Sequence, residues 1–412
     1  MTFVGVSTLQ MRFAEIVAFT AAVMALGALS IDIMLPALGA IGRDLGAITE
    51  NDAQSVIYAF TIGYGVAQLF FGPISDRFGR RAVMLGAIAC YAAAAAVAAF
   101  SSSFTLLLIM RALQGAFTAA SRVAIMASVR DRYAGARMAE VASAATTIFM
   151  AAPILAPAIG QGVLMIADWR AIFSCLLFYG VALGAWAYFR MPETLGADAR
   201  RRLSFRTAGA AYLHFARNRQ SAGYTLAVMF LWGAFFAYLG TAQQIYVGVF
   251  DLGAGFPLAF ALGAVPYGIA AMANAVFVRR FGMRRIMHAG VFAIIAVSAA
   301  HLGAAAVVGD SLPLFLTSLC ATLFALGLVG PNATALALEP MGEMAGAAAA
   351  ANGFAATTGA ALIGMMIGRT FIGAAKLVSE AFLAMGLIAL VMTLLTEDGR
   401  LFAAPGALAE AE

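Results

Sequence analysis

Asp32 is the one acidic side chain that stands well inside a long apolar stretch of this sequence, because Glu15 and Glu140 lie near the ends of theirs. Arg111 and Arg122 are the only basic residues so placed. A charge at the centre of a bilayer costs at least about 2.5–3.5 kcal/mol, so each of the three needs a partner or an aqueous cavity. A carboxyl in that setting can take up and release a proton, and a nearby guanidinium can tune the exchange. With the first apolar stretch running away from the face where the chain begins and the fourth running the same way back, Asp32 is about four residues and Arg111 about six from the opposite face. At about 1.5 Å per residue they reach similar depth. Pairing of Asp32 with Arg111 is therefore expected, with Arg111 as the tuning partner of a proton site. The plainer alternatives are an Asp32 that caps the helix beside Pro36 and an Arg111 that reaches to the interface. Arg122 follows eleven residues later on the same helix face, nearer the other end, where reaching the interface explains it equally well.

Other chemistries lack their residues. His288 and His301 are thirteen residues apart, there is no H-E-x-x-H, and no G-x-x-x-x-G-K-[ST] loop is present. Neither metal-assisted hydrolysis nor direct ATP drive is expected, and the chain reads as no enzyme and as needing no cofactor or metal. Cys90, Cys175 and Cys320 have no C-x-x-C spacing and read as small core residues. No segment is long enough for a soluble signalling domain, which sets aside a sensor.

The elements that must position these residues follow from composition. Of 412 residues 63% are hydrophobic and 11% charged, against about 25% charged in soluble chains. Lipid is the expected solvent. The net charge of +5 is spread in short arginine clusters between apolar runs, which argues for membrane orientation and against nucleic acid. Apolar runs occupy 13–36, 52–71, 82–100, 105–128, 138–164, 170–190, 222–248, 257–278, 286–308, 312–336, 346–368 and 375–396. Backbone polar groups in lipid must be satisfied internally, and the runs lack β-barrel alternation, so all are expected to be helices. Val17 to Ser30 could also serve as a signal-peptide core, but the basic region before it is only Arg12 and the apolar run continues into Pro36. It is kept as the first helix.

Nineteen Lys and Arg fall in one set of loops and four in the other, which are Arg43, Arg170, Arg369 and Lys376. Basic loops are retained in the cytoplasm, so both termini are expected there. The longest connection is rich in arginine and divides the chain into a six-helix bundle over 1–190, a cytoplasmic linker over 191–221, a second bundle over 222–396 and a tail over 397–412. Arg77-Phe78-Gly79 and Arg280-Phe281-Gly282 stand 203 residues apart, the signature of a duplicated six-helix unit.

Six segments carry a resemblance. The loop Gly72-Pro73-Ile74-Ser75-Asp76-Arg77-Phe78-Gly79-Arg80-Arg81 resembles the major facilitator superfamily motif Gly-x-x-x-Asp-Arg-x-Gly-Arg-Arg/Lys at every defined position, and Arg111-Ala112-Leu113-Gln114-Gly115 resembles its Arg-x-x-Gln-Gly. Ala152-Pro153-Ile154-Leu155-Ala156-Pro157-Ala158-Ile159-Gly160 looks like its antiporter motif on helix five, with Pro153, Ala156, Pro157 and Gly160 in place and Ala152-Pro153 where a Gly-Pro pair is usual. Ser30 to Leu38, together with Pro331-Asn332-Ala333-Thr334 and the segment from Met344, is similar to the Bcr/CflA drug-resistance exporters.

The resemblance implies an all-α fold of twelve transmembrane helices in two pseudo-symmetric halves. It also implies proton-coupled efflux of amphipathic molecules or drugs by a multi-pass bacterial inner-membrane protein. In that family the loop's Gly72, Asp76, Arg77, Gly79, Arg80 and Arg81 latch the two halves together on the cytoplasmic side. A symporter or uniporter moving a metabolite is the alternative within the fold. The partners expected are a small-molecule substrate, protons and the lipid bilayer, with the chain acting as a monomer.

From the residues themselves, a substrate cavity is expected around Asp32, Arg111, Gln114, Tyr238, Gln243 and Asn332, charged on one side and aromatic or neutral-polar on the other. Trp232, Gln244, Tyr246, Asn274, Asn352, Thr357 and Thr358 are further polar candidates, each also explicable by packing between helices.

The arginine imbalance yields a direct test. A reporter enzyme fused within 191–221 should report cytoplasm in intact cells, and periplasmic reporter activity there would overturn the orientation.

Overall fold

The computed structural model describes residues 11–196, 198, 200 and 205–402, and every regular element among them is helical. Arg201, Arg202 and the tail beyond 402 lie outside the described residues. Among the described residues twelve helices are long and apolar enough to cross a membrane. The first six are Phe13–Asp44, Glu50–Phe78, Arg80–Ala99, Phe104–Arg132, Glu140–Leu164 and Arg170–Arg190. The second six are Arg219–Val249, Gly253–Phe281, Met283–Val308, Leu312–Gly342, Ala345–Gly368 and Leu377–Thr396. Their loops define an arginine-rich face, where the first span begins, and an arginine-poor face opposite.

Several spans outrun the apolar runs. The second continues to Phe78 and the fourth to Arg132, because arginine-bearing turns keep their helical hydrogen bonds after leaving the apolar layer. A further helix, Phe205–Arg217, connects the sixth span to the seventh. It is strongly amphipathic and only 13 residues long, so hydrophobicity averaged over a membrane-length window passes over it. Phe215 buries its apolar face against Met341, Ala348 and Ala351 of the second half, and Tyr212 Oη donates to the Leu69 carbonyl of the second span at 2.6 Å.

Glycine sets how closely the spans approach. A Cβ on Gly115 would overlap the Phe60 carbonyl oxygen, and one on Gly63 would overlap that of Ala112, so the second and fourth spans meet backbone to backbone. The duplicated Arg-Phe-Gly turns have one geometry. Gly79 has φ 95° and ψ 155°, Gly282 has φ 79° and ψ 157°, and each is the N-cap of the next span. Such positive φ suits glycine alone.

Gly115→Val forces the second and fourth spans apart, an overpacking cost of about 1–3 kcal/mol. Its apparent Tm in detergent, read by size-exclusion after heating, is expected to fall by several degrees. Gly86→Ala, which meets nothing within 4 Å, should stay at the wild-type value.

Candidate functional site

The first span breaks where its chemistry lies. Pro36 has no N–H to return to the Asp32 carbonyl. The Met34 N–H turns to Ile31 O (3.3 Å) and the Ala37 N–H to Met34 O (2.9 Å), giving a 3₁₀ turn over Leu35–Ala37. The α-helical donors of Ser30 O and Ile33 O are thereby lost. Arg111 satisfies the first: its Nη2 donates to Ser30 O at 2.7 Å, its Nε to Val56 O at 3.1 Å and its Nη1 to Gln114 Oε1 at 2.9 Å. Gly160 meets the second, since any Cβ there would overlap Ile33 O. Ala156 and Pro157 are buried in the same helix, which starts afresh at Ala151 because Pro153 cannot donate to Phe149.

Below the break a cavity of about 1520 Å³ runs between the halves to the arginine-rich face. Its deep end is lined by Asp32, Phe60 and Tyr64 from the first half and by Trp232, Phe235, Tyr238, Phe260 and Tyr267 from the second. Tyr238 stacks on Phe260 (6.0 Å between centroids, 9° between planes) and Phe235 on Tyr267 (6.5 Å, 15°), so the aromatic wall is an ordered surface. Asp32 is 5% exposed, and among the described residues no hydrogen bond or ion pair reaches its carboxylate.

Of the expected cavity residues, the structure brings Asp32 and Tyr238 together on this wall. Arg111 and Gln114 are fully buried beside it, Arg111 donating to Gln114 Oε1 and to two carbonyls, and Phe60, whose ring lies 4.7 Å from the Arg111 guanidinium, lines the cavity instead. Arg111 does not pair with Asp32, because the carbonyl freed at Ser30 takes the donor. Asn332 is buried between spans, donating to Asn274 Oδ1 (2.6 Å) and Leu328 O (2.7 Å). Gln243 sits at the arginine-poor end, where a Cβ on Gly39 would be 3.5 Å from its amide nitrogen. Of the further candidates, Trp232, Asn352 and Thr357 line the cavity, while Thr358 packs on Gly65.

The sequence reading did not single out the closure at the arginine-poor face. Gln54 Nε2 donates to Gln244 Oε1 (2.8 Å) and Gly368 O (3.2 Å), and Gln244 Nε2 donates to Asn51 Oδ1 (2.8 Å). Asn51 Nδ2 reaches Phe371 O at 3.0 Å, and Tyr58 Oη reaches Gly364 O at 3.0 Å. A π-helical turn over Gln244–Val249 aims Gln244 at the second span. Arg122, for which a cavity position and an interfacial one were equally good expectations, lines the cavity and donates to Tyr64 Oη at 2.7 Å.

Among the described residues the loop over 72–81 keeps its bonds within the first half and with Glu193, just after it. Arg80 donates to Asp76 Oδ1 (2.6 Å), Ser75 Oγ (3.1 Å) and Asp131 Oδ2 (3.0 Å), while Glu193 accepts the N–H groups of Arg80 (2.9 Å) and Arg81 (3.3 Å). A Cβ on Gly79 would overlap the Glu193 carboxylate. Gly72, Asp76 and Arg80 stand on the cavity wall, and Arg77 is exposed. With the cavity open at this face, the expected latch between halves is not engaged.

A profile of the Major Facilitator Superfamily matches residues 18–365. The chain is 31% identical to a chloramphenicol resistance protein of Pseudomonas aeruginosa over 78% of its own length and 74% of that protein's. It is 29% identical to a bicyclomycin resistance protein homolog of Haemophilus influenzae over 77% and 80%. The solved structure of a D-xylose-proton symporter superposes with a TM-score of 0.73 at 15% identity, covering 92% of this chain and 95% of that one.

Each uncharged hydrogen bond of the closure contributes about 0.5–1.5 kcal/mol. Replacing both Gln54 and Gln244 by Ala should therefore shift the opening equilibrium about tenfold. Spin labels at Ile48 and Ile372, both exposed at this face in opposite halves, should show a new longer-distance population. An unchanged distance distribution would remove these bonds as the closure.

Proposed function

We propose that this chain, which belongs to the major facilitator superfamily, is a proton-coupled exporter of small amphipathic molecules of the drug-resistance type, acting as a monomer in a bacterial inner membrane. Membership makes it a multi-pass membrane transporter. The relatives named for resistance to chloramphenicol and bicyclomycin support efflux of organic compounds. The nineteen-to-four arginine bias supports a cytoplasmic arginine-rich face with both termini on it, so that the cavity opens to the cytoplasm.

One observation carries the coupling. Asp32 holds an unpartnered carboxylate at the deep end of a cavity walled by aromatic rings. Such a charge in the membrane is relieved by a proton, by water or by cargo. In the outward-facing state Asp32 takes a proton from the periplasm, and in the inward-facing state the proton leaves as cargo enters from the cytoplasm. Each charge moved inward across the membrane gains about 2.3 kcal/mol per 100 mV. Arg111 is a positioning residue here: it holds the broken turn that presents Asp32. The loop over 72–81 takes hold across the halves when the cytoplasmic side closes.

The test uses inverted vesicles with an acidic lumen, chloramphenicol as cargo, and variants checked for membrane insertion. Wild type should accumulate cargo, whereas Asp32→Asn should fall to background while still binding it. If Asp32→Asn accumulates cargo at the wild-type rate, coupling lies elsewhere. Outward movement of cargo from the lumen under the same gradient would make the protein a symporter.

A further inference from the structure

Among the described residues the charged side chains on the cavity wall are Asp32, Asp76, Arg80, Arg122, Arg130 and Asp131. All six come from the first half. Arg80 bridges Asp76 and Asp131, which leaves one acid, Asp32, and two cations, Arg122 and Arg130, without an ion pair among the described residues. Arg130 stands in the last turns of its helix at the mouth. Arg122 is eight residues deeper, about 12 Å along the axis.

Arg122 differs from Arg111 in what surrounds it. Arg111 has no exposed surface and spends its donors on two carbonyls and an amide. Arg122 is exposed to the cavity, and the one hydrogen bond it makes among the described residues is from Nη1 to the uncharged Tyr64 hydroxyl, 2.7 Å away. Tyr64 is in turn stacked on Phe60, with 19° between the rings. The guanidinium is thus held along one edge by a neutral group. Its other edge, Nε and Nη2, makes no hydrogen bond among the described residues and carries two parallel N–H donors, the fork that fits a carboxylate bidentately. The second half's facing wall carries no charge among the described residues and offers Trp232, Phe235 and Tyr267.

We infer that Arg122, positioned by Tyr64, is an anion-binding subsite, and that the preferred cargo is an aromatic molecule bearing a carboxylate, bound more tightly than a neutral one such as chloramphenicol. This rests on the exporter reading and adds the substrate class. The carboxylate takes the Nε–Nη2 edge of Arg122 while the aromatic body lies against the rings of the second half. Arg130 at the mouth and Arg122 below it give a positive lead-in from the cytoplasm, the arrangement that raises local anion concentration. Asp32 lies on the same wall, so the cargo and the proton occupy separate groups.

Binding to the purified full-length protein in nanodiscs tests this without transport, using three fluorescent probes: dansylglycine, its methyl ester and dansylcadaverine. Wild type should bind dansylglycine about tenfold more tightly than the ester, the size a charge-assisted hydrogen bond gives. Dansylcadaverine should bind no better than the ester. In Arg122→Gln the preference should shrink to about twofold or less with ester affinity kept, and Arg122→Lys should retain part of it. Should Arg122→Gln fail to fold, the wild-type preference and its partial survival in Arg122→Lys decide the matter. Equal binding of acid and ester by wild type, a preference for dansylcadaverine, or an acid preference that survives Arg122→Gln each overturns the subsite. An Arg122-dependent acid preference without gradient-driven accumulation in vesicles would sink the exporter reading alone. Accumulation without that preference would sink the subsite alone.

Discussion

The rest of the structure depends on one broken turn of helix. Between Ser30 and Pro36 the first span exchanges α-helical bonds for 3₁₀ bonds, and three carbonyls inside the membrane, those of Ser30, Asp32 and Ile33, lose their α-helical donors. An unsatisfied carbonyl in lipid costs several kcal/mol, so the break persists only because something answers it. Arg111 answers Ser30, and the missing Cβ of Gly160 lets the fifth span close over the Ile33 carbonyl. Two family motifs, on helices four and five, thus act on the same few ångströms of backbone. Their joint product is the position of Asp32, which ends the regular helix just before the break and faces the cavity.

The cavity has a division of labour that the duplicated fold does not require. Both halves keep the Arg-Phe-Gly turn with matching backbone angles, yet among the described residues every charge on the cavity wall comes from the first half and the deep wall of the second is mainly aromatic. Duplication preserves what holds a six-helix unit together, because that problem is the same twice. In the first unit Glu15 clamps Arg190 at 2.6 Å, and in the second Glu397 takes Tyr224 (2.5 Å) and Arg284 (3.1 Å) at the matching ends of its spans. The cavity faces a partner that differs, and there the two units have diverged.

Span number, the two halves and the loop turns were legible because they rest on hydrophobic length, arginine count and glycine geometry, which are local properties. Asp32 was legible for the same reason: an acid in an apolar run is conspicuous wherever it points. Which arginine faces the cavity was not. Arg111 and Arg122 share a helix and nearly a face, and they are told apart by a carbonyl freed on another helix, which no spacing within their own sequence records. Gln243 was expected in the cavity and Gln244 was only a further polar candidate, but the π-helical turn that begins at Gln244 sends that side chain into the closure. Asn332 looked like a cavity group and is spent on Asn274, a partner 58 residues away.

Charge and neutral polarity also divide by what they must do when the halves move. Among the described residues the ion pairs stay within one half: Glu15–Arg190, Asp44–Arg170 and Arg80 with Asp76 and Asp131 in the first, Arg284 with Glu339 and Glu397 and Arg219–Asp398 in the second. The closure between halves is made of amides and hydroxyls on carbonyls. An ion pair that had to part on every cycle would leave partly buried charges unpaired, at a cost of several kcal/mol. An amide bond exchanged for water changes the balance by only about 0.5–1.5 kcal/mol. A handful of such bonds sums to a few kcal/mol, and inverting a two-state equilibrium from 1:99 to 99:1 takes about 5.5 kcal/mol. One charge falling through about 100–150 mV supplies energy of that order. The halves can therefore stay rigid while the equilibrium between their two arrangements remains within reach of one proton and one bound cargo molecule.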